Sequence, residues 1–449
     1  MHLSHAGAFE DPASTLAGVT TVGPSESPPQ AVRAHHVHNG LVGIAIVVLV
    51  VIGAAATFFG LAATTSSVAQ DKIQQSLAPF YLPPSGWQVR PPGSLLRSEI
   101  LPNPPKGSLG WRILYSTQRA NGAPAVSSGL VFAPRGAKGS TPAGRPVVAW
   151  AHPTVGMGDA CAPSRSTHPG SGIPGLVDFL NAGWVVTATD YAGLGTPGVE
   201  QYLIGNAEAH DVLNSVRAAR HLPRAFAGST VGLWGHSQGG QAALWAADLR
   251  SYAPELSVVG AAAAAPAAEL PALISHQWST IYGSLIGAEV LVSYPDTYGD
   301  LRLTTVSSRS ADSVAALANR CLTQAGIDIV ISKVFGRSSL LSRNPEVDGS
   351  WRAAISANTP PVPQIPTLII QGLTDPIVLP GTNAAFLERS CRAGAPIQGA
   401  FIGALGHMKA GKAGAPLAFT WLQQRFGGVA MTSTCGTRLP VRPLGISTN

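Results

Sequence analysis

Gly235-His236-Ser237-Gln238-Gly239 sets a serine between two glycines in a G-x-S-x-G spacing. Upstream, Ser229 to Trp234 is apolar and β-branched, the pattern of a buried strand. Downstream, Gly240 to Arg250 is Ala-rich and reads as a helix. A serine on a sharp strand-to-helix turn is held with its Oγ exposed above the sheet edge. The glycines two before and two after it keep Cβ atoms from clashing across the turn. The helix that follows aims its unpaired N–H groups at any oxyanion formed there. The chemistry these residues suit is nucleophilic attack on a carbonyl carbon. A glycine-rich turn with an ordinary solvent serine is the bland alternative, and it leaves the flanking strand and helix unexplained.

Such a serine needs a base, and the base needs an orienting acid. In the α/β-hydrolase arrangement both follow the serine, acid first, each at the end of a later strand. Pro366 to Gly372 reads as a strand, and Leu373-Thr374-Asp375 follows, which puts Asp375 at a strand's carboxyl end. Ile397 to Ala404 reads as the last strand and leads to Leu405-Gly406-His407, which puts His407 on the loop beyond it. Asp190 also ends a strand, Trp184 to Asp190, but precedes the serine. Its expected task is structural, binding N–H groups of the Tyr191–Gly195 loop. Five of the twelve histidines (His2, His5, His35, His36 and His38) lie in the N-terminal tail. His210 and His221 fall in a helical pattern and read as surface positions. His276 lies in an insertion, His168 in a Gly/Pro-rich loop, and His152 and His236 read as shaping elements near the serine.

An oxyanion needs two donors. The Gln238 N–H, next to the serine, is the first. The second is expected from the loop after an early strand, Arg145 to Ala151, which begins near Pro146 and runs into His152-Pro153-Thr154. Thr154 is the candidate, through its N–H and its hydroxyl.

These positions require alternating strands and helices, with Asn206 to Leu222 as one helix, hence a mostly parallel sheet flanked by helices. Trp111–Tyr115 and Gly129–Phe132 read as early antiparallel strands after a proline-rich approach from Pro83 to Pro105. The interval 266–360 lacks strand alternation and carries helical stretches and aromatics. It reads as a helical cap inserted between two parts of one core, 75–265 and 361–440. Only 12% of residues are charged, and the net charge of +6 is spread without Lys/Arg clusters, which argues against nucleic acid as a partner.

Between Arg33 and Asp71 there is no Asp, Glu, Lys or Arg. Residues 1–39 form a Pro/Ser/His-rich tail that reads as disordered. Residues 40–64 are long and apolar enough for a signal anchor, or for a signal peptide cut after Ser67-Val68-Ala69. The length of the run favours the anchor, hence a membrane-anchored protein facing outside. Either way the folded part is exported, secreted if the segment is cut. All four cysteines lie beyond that segment, an even count that suits two disulfides in any of three pairings. No C-x-x-C spacing occurs, so neither a metal nor any other cofactor is expected. Oligomeric state is not legible.

Several longer matches carry a family resemblance. They are Cys161-Ala162-Pro163-Ser164, the Trp184–Asp190 strand, Ser251-Tyr252-Ala253-Pro254-Glu255-Leu256, Asp375-Pro376-Ile377-Val378-Leu379-Pro380 and Cys435-Gly436-Thr437. With them the chain resembles the secretory lipase family, the Candida lipase A-like group of the α/β-hydrolases, over roughly 75–440. The resemblance implies a triad of Ser237, Asp375 and His407, and bridges Cys161–Cys321 and Cys391–Cys435. It also implies hydrolysis of lipid or small esters through an acyl-enzyme. The other enzymatic readings are a non-lipolytic carboxylesterase and an acyltransferase. An inactive anchored binding protein on the same fold is the non-enzymatic one.

Overall fold

The computed structural model describes residues 72–136, 143–322 and 340–447. The expected tail (1–39) and apolar segment (40–64) lie outside the described residues. Among the described residues no helix is long and apolar enough to cross a membrane.

After a first helix, α1 (72–81), the chain builds one sheet of nine strands: β1 (Leu95–Ile100), β2 (Ser108–Gln118), β3 (Pro124–Pro134), β4 (Arg145–Ala151), β5 (Val185–Thr189), β6 (Ala227–His236), β7 (Ser257–Ala264), β8 (Thr367–Gly372) and β9 (Ile397–Ile402). Their spatial order is β1-β2-β3-β5-β4-β6-β7-β8-β9. The first three strands and the β3–β5 pair are antiparallel, and every later pair is parallel. This is the α/β-hydrolase architecture. β1 was hidden in the sequence because prolines and glycines surround it on both sides.

The parallel strands are apolar on both faces, so each face must be covered. Val147, Ala149 and Ala151 of β4 point to one side, where α3 (Gly205–Arg220) and α4 (Gln238–Asp248) supply Val212, Leu213, Val216 and Ala242. Val148 and Trp150 point to the other, against α2 (Leu176–Asn181) and the C-terminal helix. β8 and β9 are covered on the α4 side by the helix Pro380–Arg392 through Phe386 and Leu387.

Between β7 and β8 the described residues contain helices and no strand: α5 (Leu270–Gln277), α6 (Ile281–Thr297), α7 (Ala311–Ala318) and α8 (Gly349–Ala357). Three start on side-chain caps. Thr280 accepts from the Gly283 N–H, Ser310 from that of Ser313, and Asp348 from those of Ser350 and Trp351. Their apolar faces share a cluster with Leu203, Ile377 and Val378 of the core, so they sit over its carboxyl edge. In chain order α9 is then Pro380–Arg392 and α10 is His407–Phe426.

Cys161 is bonded to Cys321 and Cys391 to Cys435, partners 160 and 44 positions apart in the chain. The first bridge is one of several ties between the loop after β4 and the end of α7. The Met157 N–H donates to the Ala318 carbonyl and the Leu322 N–H to that of Val155. The two backbones run so close that a Cβ on Gly156 would lie 2.0 Å from the Arg320 oxygen.

Candidate active site

β6 ends at His236, and Ser237 takes φ 58° and ψ −119°, a conformation an L-residue adopts only under constraint. The Ser237 N–H donates to the Ala264 carbonyl, and its own carbonyl accepts from Gln241 and Ala267. Both flanking glycines are sterically required. A Cβ on Gly235 would lie 1.9 Å from the Gly239 oxygen, and one on Gly239 would lie 1.9 Å from the Ala151 oxygen. The strand–turn–helix therefore closes only with glycine at those two places.

Ser237 Oγ lies 2.8 Å from His407 Nε2, and His407 Nδ1 lies 2.7 Å from Asp375 Oδ2. The other carboxyl oxygen of Asp375 accepts from the N–H groups of Ile377 and Val378, each at 2.9 Å. All three side chains are buried. A histidine whose Nδ1–H donates to a carboxylate presents a bare Nε2 to the serine, so this row can take the Oγ proton as Oγ attacks a carbonyl carbon. His407 stands at the first residue of α10, one step past the loop where the sequence reading put it, with Gly406 as N-cap. His236 packs its ring 4.9 Å from that of His407, and its Nε2–H donates to the His407 carbonyl. Burial and the neighbouring imidazole push His236 down to about 3, so it stays neutral and works as a spacer.

Asp190 does not bind the N–H groups of the loop that follows it. Its carboxylate accepts from Ser128 Oγ and from the Ser164 N–H and Oγ. The loop's Ala192 N–H goes instead to Asp211 of α3. The reason is topological, because β3 lies beside β5 and carries Ser128 to the end of it. His210 is buried rather than on the surface, with Nδ1 facing the Gln118 carbonyl.

Gln238 is the first residue of α4, so its N–H has no carbonyl one turn back to accept it. Thr154 follows the end of β4, the segment against which Gly239 is packed, and its hydroxyl lies 2.8 Å from that of Tyr202. Ser237 and Gln238 line an apolar pocket open to solvent. Its walls come mainly from α5, α6 and α8, including Leu273, Ile274, Trp278, Val290 and Trp351, with Ile377 on the core side. Among the described residues no group of His, Cys, Asp and Glu is arranged to hold a metal ion.

A sequence model of the secretory lipases matches residues 173–434, more than half of the chain. The chain belongs to the secretory lipase family. Lipase A of Arthroderma benhamiae is 28% identical over 82% of this chain and 84% of its own. A probable inactive lipase of Mycobacterium tuberculosis is 27% identical, over 79% and 83%. The crystal structure of Candida antarctica lipase A superposes with a TM-score of 0.66 at 20% identity, covering 81% of this chain and 89% of the other. Family membership makes this secretory lipase an ester hydrolase acting on lipid or small esters.

Motif reading passed over what surrounds the elbow in this family member. The Gln238 amide donates to Glu200 Oε1 at 3.1 Å and to Glu208 Oε1 at 2.8 Å, and all three side chains are buried. Gln371 lies beside Asp375 and accepts from Asn383. These residues sit on a loop, a helix face and a strand with no fixed offset to a motif, so only spatial proximity reveals them.

Proposed function

We propose that this protein is an exported lipase that cleaves carboxylic esters through an acyl-enzyme on Ser237. His407 takes the serine proton and later returns it to the leaving alcohol. Asp375 fixes the imidazole tautomer and stabilises the imidazolium. The Gln238 N–H and Thr154 bind the oxyanion. A Thr154 hydroxyl that accepts from Tyr202 keeps its own hydrogen for that task. Burial raises Tyr202 well above the usual phenol range, so it remains a donor. Water then attacks the acyl-enzyme carbonyl, the alkoxide leaving group being Ser237 Oγ, which recovers its proton from His407. One oxyanion donor is worth about 3 kcal/mol.

The observation that carries the reading is the row Ser237–His407–Asp375 opening on an apolar cavity. An inactive binding protein would have no use for that complete row. The helices between β7 and β8 act as the cap, and the cavity beneath them takes a medium or long acyl chain. Each buried CH₂ contributes about 0.8 kcal/mol, close to fourfold in kcat/KM. The apolar segment at 40–64 exports the enzyme and anchors it facing outside. The test is hydrolysis of p-nitrophenyl esters of rising chain length by the wild type and Ser237→Ala. The wild type should improve from acetate upward, and the variant should be inert while folded. Turnover by Ser237→Ala overturns the mechanism, and a preference for acetate replaces the lipase by a plain carboxylesterase.

A further inference from the structure

Behind the oxyanion side of the elbow lies a knot of buried acids that the mechanism above does not use. Gln238 spends both hydrogens of its amide on two carboxyls, Glu200 from the loop after β5 and Glu208 from α3. Glu208 Oε1 also accepts from the Leu203 N–H, and its Oε2 is buried without a partner among the described residues. Glu289 approaches from α6, close enough that Glu200 and Glu208 each oppose its ionisation. Asp211 stands one turn along α3 and is occupied by Thr117 and Ala192. Among the described residues the cation acting on this knot is Arg119, which bears on Asp211 and is paired with Asp296. The phenols of Tyr191 and Tyr202 face the same group and burial keeps them neutral. His407 contacts Ser237, the chain neighbour of Gln238.

We propose that Glu200 and Glu208 are positioning residues that hold the oxyanion-binding N–H of Gln238 in place through its side-chain amide. Neutral carboxyls accept from the amide without opposing the negative charge that develops on the substrate oxygen. An ionised carboxylate behind the elbow does oppose it, in a setting with little solvent to screen the charges. Burial raises Glu200 to about 8 and Glu208 well above the carboxylate range, so these two carboxyls keep their protons at neutral pH and Glu200 begins to charge in mild alkali, after Asp211, which burial raises to about 7. The opposition acts on the transition state, so kcat falls as pH rises while KM holds. The proposal rests on Ser237 as nucleophile and Gln238 as oxyanion donor. Ser237→Ala tests that basis separately, because its outcome does not depend on any pH profile.

The experiment measures kcat and KM for p-nitrophenyl butyrate between about pH 6 and 10 on the full chain. Wild-type kcat should fall through about pH 8 with KM unchanged. Glu200→Leu, which takes away one of the two acceptors of the amide and leaves Glu208, should lose about tenfold in kcat at every pH. Glu200→Gln, which accepts but cannot ionise, should recover most of that loss and show no alkaline fall. Should Glu200→Leu fail to fold, Gln238→Met removes the bonds to both carboxyls and should lose at least about tenfold in kcat at constant KM. An alkaline fall in Glu200→Gln superposable on that of the wild type overturns the proposal. So does a wild type with no fall, or wild-type kcat in Gln238→Met.

Discussion

Asp375 and Glu208 are both about as buried as a side chain can be, at 3% and 1% exposure, yet they are held in opposite ways. Asp375 receives two backbone N–H donors on one oxygen and the imidazole N–H on the other. Those donors replace the water a carboxylate loses on burial, and they suit the ionised form. Glu208 receives its donors on one oxygen and leaves the other bare, beside Glu200 and Glu289. That arrangement suits the protonated form. What separates the two carboxyls is the count and placement of the N–H groups aimed at them.

The strongest way to break the comparison is Asp375→Asn. The amide keeps the shape but offers an N–H where His407 needs an acceptor, and the imidazole then turns to the wrong tautomer. About 10⁴-fold in kcat should be lost, with substrate binding and folding retained. A loss under about tenfold would mean that Asp375 merely packs beside His407.

The cavity wall gives the next effect in size. Gly287 of α6 lines the acyl cavity, and a Cβ there meets only the Leu340 and Leu341 methyl groups, at 3.8 and 3.7 Å. Gly287→Leu should therefore fold, and its side chain should fill space an acyl chain uses. Long-chain esters should lose about tenfold in kcat/KM and acetate should be unaffected, three buried methylenes being worth more than that. An equal loss on all chain lengths would place the acyl chain elsewhere.

The two carboxyls also differ in how far the sequence revealed them. The elbow, the acid and the base sit at ends of strands, and β4, β6, β8 and β9 each announce themselves by a short apolar run that stops at glycine or at a polar turn. Side chains fixed by strand ends inherit the regularity of the sheet, and the spacing of Ser237, Asp375 and His407 could be read from it. β1 was missed because its neighbours are prolines, and His407 gained a helix because α10 starts without a side-chain cap to signal it. Asp190 was given the wrong partners because Ser128 and Ser164 reach it through strand order and a loop, which local sequence does not encode. Nothing in the sequence singled out Glu200, Glu208 and Glu289, which stand on a loop and two helices. They are buried because the helices between β7 and β8 lie over them, a tertiary fact no periodicity reports.

The smallest expected effect is on stability, and it reads the neutral carboxyls directly. Burial is the largest cause that raises Glu289, and the repulsion of Glu200 and Glu208 adds to it. Its folded value therefore lies above its unfolded one, near 4.3 in an exposed chain. Below that unfolded value both states carry the proton and the group has no effect on folding. As pH rises past it, the unfolded chain releases the proton while the folded one keeps it. The native state then binds more protons, and stability falls with pH until the folded value is passed. Glu289→Gln carries no such proton, so its thermal midpoint should exceed that of the wild type by about 2 °C at pH 8. The difference should vanish near pH 4, where Glu289 is protonated in both states. The measurement is the midpoint of thermal unfolding against pH for the two proteins. Parallel curves would mean that Glu289 meets an unfolded-like environment in the native chain, and the neutral half of the comparison would shrink to Glu200 and Glu208.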